Sequence, residues 1–387
     1  MKIAKVEAYW LQCPIPPKKQ HRSDYGLLTA FDMTLVVITT ESGLKGFGEA
    51  KAAVGSSGVC ASIVTCIERE LAPMLIGQDA RNLNELWVRM YNGSRDHYAL
   101  ERGRGFPILG NRGLTLSAIS GVDMALWDLL GKFLNASVVQ LLGGSLRETL
   151  PAYASGGWAD AASIGDQLLG YTKKGFQAVK MRVGVMDGVV EASAERVQAA
   201  RTALGSDIKL MADAHGTFSV AEAKRFCRLA EDSNLYWLEE PVSPDNKPGT
   251  AEVRASTSTA IAAGESEFTR FDIRDLINLQ AVDVLQPDAA IVGGISETWR
   301  IAALASTYEL ELAPHCWGSA LSFMAGASIA FASSSASIIE FSSGGNPMMY
   351  DLVNENIQAV DGMIIKPQDP GLGLTLNWDF IKEYHQS

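Results

Sequence analysis

Three acidic residues, Asp213, Glu239 and Glu265, stand 26 positions apart in this chain, each near the end of a short apolar run. Those runs read IKLMADA (208–214), LYWLEEP (235–241) and AIAAGES (260–266). Four similar runs also carry ionisable residues: AVKMRV (178–183) has Lys180 and Arg182, AVDVLQPD (281–288) ends in Asp288, ELAPHCW (311–317) holds His315, and SIIEF (337–341) holds Glu340. His215 follows Asp213 by two, and residues i and i+2 of a strand share a side, so this pair is expected to project together. Any one of these side chains alone could be a helix cap or a surface charge. Seven successive strand ends supplied with ionisable groups pose a different problem, because converging carboxylates cannot all stay ionised without a counter-charge. A divalent cation answers it, and an all-oxygen set suits Mg²⁺ better than zinc, which prefers His and Cys.

For these side chains to meet, their strands must lie side by side. With LPAYASGG (150–157) the apolar runs number eight, and amphipathic stretches such as VEASAERVQAARTALG and SETWRIAALAST separate them. Strands buried on both faces and spaced by helices form parallel βα units. Eight of them predict a closed α/β barrel, with chemistry collected at the C-terminal strand ends.

The first third has another texture. Lys2 to Leu11 alternates as a strand, Lys18 to Gly26 reads as an exposed loop, and MTLVVITTESGLKGFGEA resembles a hairpin turning at Glu41-Ser42-Gly43. Helical periodicity follows over 57–91. A Gly- and Arg-rich segment spans 93–113, and LSAISGVDMALWDLLGKFL (116–134) predicts a buried apolar helix. The tail from Gly362 is too short to stand alone and is expected to pair back with the N-terminal sheet. The expected division is an α+β capping domain over 1–122, with 360–387 returning to it, and a barrel over 123–359.

Hydrophobic residues make up 47% and charged residues 20% of the 387 residues, ample for a globular core. The net charge of -11 argues against a nucleic-acid partner, which demands a basic footprint. Five scattered cysteines without a CxxC pair argue against a disulfide framework or structural zinc. The N-terminus lacks the apolar core of a signal peptide, and no run reaches the roughly 20 apolar residues of a membrane span. No membrane association and a cytoplasmic location are expected.

The ordered set WLEEP, AAGES, LQPDAAIVGG, APHCWGS and IIEF, with LLGG at the domain junction and PGLGL near the end, resembles the enolase superfamily. The likeness is to its mandelate racemase/muconate lactonizing enzyme branch, the acid-sugar dehydratases in particular, and covers nearly the whole chain. It implies a modified TIM barrel, (β/α)7β, with Asp213, Glu239 and Glu265 as Mg²⁺ ligands. The metal would hold a carboxylate substrate and stabilise the enediolate left when the neighbouring proton is removed. Asp288 and His315 resemble the family's dyad, the carboxylate fixing the tautomer of an imidazole base. Glu340 is expected near the substrate carboxylate.

Two departures bear on the reaction. Many relatives carry Lys-x-Lys on the second strand, whereas this chain has Lys180-x-Arg182, and an arginine hardly gives up a proton. Lys180 and Arg182 are therefore expected to steer and hold substrate, and two-base racemisation is disfavoured. Asp213-x-His215 replaces the frequent Asp-x-Asn and resembles the galactonate and mannonate dehydratases, where this histidine protonates the departing hydroxyl. The resemblance also implies that a cap loop around His21, Arg22, Asp24 and Tyr25 and the stretch after Glu49 close over the barrel mouth. Arginines of the 94–112 segment are expected to suit a second carboxylate, as in an aldarate. The reading is a Mg²⁺-dependent dehydratase of a small carboxylate substrate, a sugar acid, giving a 2-keto-3-deoxy acid. The alternatives are a racemase, epimerase or sugar-lactone cycloisomerase, or a non-catalytic sugar-acid-binding relative. A symmetric homo-oligomer is expected, octamers being common among such relatives.

Overall fold

Alternation along the N-terminal run produces two long strands, Ile3–Pro14 and Ala30–Thr40, paired antiparallel from Ile3 opposite Thr40 to Pro14 opposite Ala30. The computed structural model describes every residue except 24–25, 53–59, 94–101, 104–109 and 387. Lys45–Ala50 joins the inner side of this sheet and His385–Gln386 its outer edge. Neighbouring residues of a strand serve opposite faces. Met33, Leu35 and Val37 accordingly enter the core shared with the barrel, and Val36 and Ile38 enter a second core under the cap helices.

The apolar run expected at 116–134 is one helix, Leu114–Leu134. It rests on Lys45–Ala50 at a distance that only glycine permits. A Cβ on Gly48 would lie 2.1 Å from the Gly121 carbonyl oxygen, and one on Gly46 2.2 Å from that of Ala125. By length and composition this helix could cross a membrane, yet 78% of its apolar window is buried in the fold. The helix is unbroken, so the boundary expected at 122/123 falls inside it.

Eight parallel strands follow: Thr149–Ser155, Ala178–Arg182, Lys209–Asp213, Leu238–Glu239, Ile261–Ala263, Val284–Leu285, Glu311–Leu312 and Ile339–Ser342. One helix fills each of the seven connections, which makes the barrel (β/α)7β. The eighth strand pairs with the first, and the seventh reaches the start of the eighth through the bridge Leu312–Ala336. Inside, Tyr153, Met211, Trp237 and Ile338 interleave with Ala178, Ala262, Val284 and Ala313, so bulky and small side chains fill one layer together. Several strands are shorter than the apolar runs that encode them, because pairing ends where the chain turns out of the barrel. Within the tail, Met363–Ile365 pairs antiparallel with the first barrel strand, and His385–Gln386 adds to the cap sheet.

Cap and barrel meet most firmly at the loop after the sixth strand. Ser120 Oγ accepts from the Gly293 N–H at 2.8 Å, and Trp87 Nε1 donates to the Gly293 carbonyl at 2.8 Å. Asp123 accepts from the Ser296 N–H at 2.9 Å and its hydroxyl at 2.6 Å. Gly294 has φ 87°, and a Cβ there would lie 2.3 Å from the Asp123 carboxylate. This explains the paired glycines of the AAIVGG motif. Burial pushes the Asp123 carboxyl from 3.8 up to about 7, against the opposing bonds from Ser296. A raised acid favours its protonated form in the native state. Its stabilisation is therefore complete below about pH 4 and is lost as pH rises through 7. Asp123→Asn cannot ionise and is expected to lose less stability than the native chain over this window, measured by urea unfolding at stepped pH. Equal losses in the two proteins would refute the assignment.

Candidate active site

Register places the charged residues beside one another. Arg182 pairs with Asp213 across the second and third strands, and Asp213 with Glu239 across the third and fourth. Glu265 lies two residues beyond the fifth strand, Asp288 and His315 three beyond the sixth and seventh, and Glu340 within the eighth. All converge at one end of the barrel and all except Arg182 are buried.

His215 reaches the site by a route that strand alternation does not describe. The strand ends at Asp213, His215 adopts φ 51°, and its N–H donates to Asp213 Oδ1 at 2.9 Å. Glu240 also has a left-handed φ, 38°, immediately after Glu239, and its carbonyl accepts from the Gly216 N–H at 2.7 Å. Such conformations are costly for residues bearing a Cβ and cluster at functional sites. Here the two turns bring His215 and Glu240 together with Glu265, and one ligand atom from each lies within 4.8 Å of the others. Of the expected metal triad, this trio contains only Glu265.

The other two members of that triad gather around Lys180. Its Nζ lies 2.5 Å from Glu239 Oε1, 3.1 Å from Glu340 Oε1 and 3.6 Å from Asp213 Oδ2. Arg182 Nη1 stands 2.9 Å from Asp213 Oδ1. The second oxygen of Glu239 accepts from Gln286 Nε2 at 2.8 Å and Trp237 Nε1 at 3.2 Å. Even so, burial and then the neighbouring carboxylates outweigh Lys180 and push Glu239 up to about 7; burial and the Glu265 charge push Glu240 up to about 8. The cluster holds more buried negative charge than its own cations compensate, and hard oxygen donors of this kind fit a divalent ion. Asp213, Glu239, Glu240, Glu265 and His215 are the residues that could hold one.

His315 faces the same cluster. Its Nδ1 is 2.7 Å from Asp288 Oδ2, and its Nε2 is 3.1 Å from Glu265 Oε2. Glu265 offers its other oxygen to His215 Nε2 at 3.4 Å. Burial opposes the imidazolium, but Glu265, Glu340 and Asp288 prevail and raise His315 to about 9. Glu340 is lowered to about 2, since Lys180 and His315 overcome its burial, and its Oε2 accepts from the Cys316 N–H at 2.8 Å.

Several functional candidates escaped the sequence. Lys51, at the end of the cap sheet, sets its Nζ 2.8 Å from Asp288 Oδ2. Burial disfavours the Lys51 ammonium, yet Asp288 and Glu49 hold its pKa above the ordinary value. Trp158 and Trp317 pack edge to face with centroids 5.5 Å apart, and with Lys180, Arg182, Asp213 and His315 they line the pocket at the barrel mouth. The available signals were a lysine directly after GFGEA and a tryptophan two residues after His315. Among the cap residues expected to meet substrate, the backbone of His21 and Arg22 belongs to a small hairpin, 21–23 with 26–28. The side chains of those two, together with Asp24, Tyr25 and most of the 94–112 segment, lie outside the described residues. Arg112 is described, and its guanidinium pairs with Asp272 at 2.9 Å.

A capped (β/α)7β barrel with an Asp–His pair, a buried lysine and a cation-seeking carboxylate cluster is the build of an enzyme. Residues 164–380 match the family described as Enolase C-terminal domain-like, and residues 16–143 match Mandelate racemase / muconate lactonizing enzyme, N-terminal domain. The chain belongs to the enolase superfamily, in its mandelate racemase/muconate lactonizing enzyme branch. It is 34% identical to D-galactarolactone cycloisomerase of Agrobacterium fabrum, with 99% of each chain covered. It is 33% identical to D-galactonate dehydratase of Ralstonia nicotianae, over 90% of each chain. The solved 3,6-anhydro-D-galactonate cycloisomerase from Zobellia galactanivorans matches with a TM-score of 0.85 at 30% identity, covering 100% of both chains.

Removing one partner from a buried ion pair leaves the other charge uncompensated, at a cost of about 3–5 kcal/mol. Lys180→Met is therefore expected to destabilise the metal-free protein by about that amount in urea unfolding. Added Mg²⁺ should return part of the loss, whereas an unchanged midpoint would show that Lys180 does not hold the cluster together.

Proposed function

We propose that this protein is a Mg²⁺-dependent dehydratase of a sugar acid. The observation that carries the reading is the Asp288–His315 pair, whose Nε2 points into the carboxylate cluster at 3.1 Å from Glu265. Asp213, Glu239 and Glu265 would hold the cation, with Glu240 and His215 beside it. When bound, Mg²⁺ supplies positive charge for a substrate carboxylate and for the negative charge that develops next to it.

The chain's own residues then divide the work. Asp288 keeps the proton on Nδ1 of His315, leaving Nε2 to take the proton next to the substrate carboxylate. The base form is the neutral ring, and Glu265 is the strongest attraction holding its proton; as a cation ligand, Glu265 would have that charge taken up. The electron pair of the broken C–H bond forms the enol double bond as the β C–O bond breaks. A proton from His215 converts the departing hydroxide to water, and the enol tautomerises to the 2-keto-3-deoxy acid. Arg182, beside the pocket and unable to give up its proton, is suited to hold an anionic group of the substrate. A second reading, cycloisomerisation of a sugar lactone, is favoured by the cycloisomerases among the similar proteins. It uses the same base.

Incubating the protein with Mg²⁺ and a library of sugar acids and lactones in deuterated water separates the readings by product mass. Dehydration is expected to give a 2-keto acid that has lost one water and gained one carbon-bound deuterium, while a product that keeps every oxygen and gains one carbon-bound deuterium supports cycloisomerisation or epimerisation. His315→Asn should lower turnover of the best substrate by about 10²–10⁴-fold, the usual contribution of a general base. Glu239→Gln is expected to weaken Mg²⁺ binding, measured calorimetrically, by more than the about 10–100-fold that losing an outer partner of a ligand costs. Native affinity in that variant would remove Glu239 from the ligand set.

A further inference from the structure

The end of the cap strand Lys45–Ala50 touches both loops that carry the Asp–His pair. Glu49 is buried and accepts at Oε2 from the Ser319 N–H at 3.0 Å and the Ser322 N–H at 3.1 Å, just after the loop that bears His315. Gly318 leaves room for it, because a Cβ there would lie 2.8 Å from Glu49 Oε1. Two residues on, the Lys51 N–H donates to the Ala290 carbonyl at 3.3 Å. The Ala290 N–H in turn donates to Asp288 Oδ1 at 2.7 Å. The other oxygen, Oδ2, has two partners, His315 Nδ1 at 2.7 Å and Lys51 Nζ at 2.8 Å. The same ammonium donates to the carbonyl of Trp317, two residues after His315.

We infer that Lys51 is a positioning residue for the Asp288–His315 pair: through its ammonium, the cap fixes the carboxylate oxygen that orients the imidazole. The inference rests on the reading of His315 as the base. A lysine in this place closes a ring of contacts, from Asp288 to His315, along the chain to Trp317, and back through Nζ to Asp288. Rotation of the Asp288 carboxylate would break the bonds to Lys51 and His315 together. Buried ammonium and carboxylate hold each other at a fixed distance, so the imidazole cannot settle into the other tautomer without leaving Lys51 facing an altered partner. The cap is thus part of the reaction apparatus as well as its cover.

The test uses the full-length, Mg²⁺-loaded protein with histidine labelled by ¹⁵N, the His315 Nδ1–H resonance being assigned by its loss in His315→Asn. Lys51→Met, of similar length without the charge, is expected to move or broaden that resonance. It should also lower kcat about 10–100-fold, the usual cost of losing an outer hydrogen-bond partner, with KM little changed. Lys51→Arg should restore both in part. Should Lys51→Met fail to unfold cooperatively, Lys51→Gln, still a donor but uncharged, decides in the same way. Native kcat and an unmoved resonance in the uncharged variant would overturn the inference. If the native chain turns over no sugar acid, the proposed reaction fails while the resonance still decides the role of Lys51.

Discussion

Burying carboxylates together is the constraint around which this molecule is built. Asp213, Glu239, Glu240, Glu265 and Glu340 are almost wholly removed from water at one end of one barrel. Each loses hydration on burial and repels its neighbours, so the ionised state survives only where positive charge or directed donors face it. Lys180 stands at the centre of three of them, Arg182 beside one, and two histidines share Glu265. Even the barrel's interior layer takes part, with Trp237 donating to Glu239 from below. Where this provision falls short, at Glu239 and Glu240, the acids are pushed towards neutrality.

The cap serves the same end from outside. Gly46 and Gly48 allow the helix Leu114–Leu134 to lie directly on the cap sheet. The helix then reaches across to Gly293, Gly294 and Ser296, behind the loop that delivers Asp288. From the other side, the strand that carries those glycines ends in Glu49 and Lys51, which hold the loops of His315 and Asp288. A single strand-and-helix unit therefore braces the dyad from two directions.

Much was legible because periodicity and chemistry are local properties of a chain. Eight apolar runs spaced by amphipathic stretches become eight parallel strands and seven helices, and the ionisable residues at their ends do gather in one place. What escaped was set by contacts between distant segments. Lys51 lies 237 residues before Asp288, and although the stretch after Glu49 is expected over the barrel mouth, nothing near it in sequence pairs this lysine with that aspartate. The reach of Arg112 to Asp272 spans 160 residues, and no local signal marks that pairing. The left-handed turns at His215 and Glu240 oppose the preference of residues bearing a Cβ, and only the packed surroundings hold them there.

By itself, then, the sequence determined the capped barrel, the strand that carries each acid or base, and the excess of negative charge at one end, since all three follow from residue type and spacing. Only the tertiary structure decided which carboxylates answer to Lys180 and which to the histidines, and that the residue following the cap strand Lys45–Ala50 supplies a cation to the dyad. Those pairings depend on ångström-scale distances between strand ends, and such distances are settled by the packing of the whole barrel against its cap.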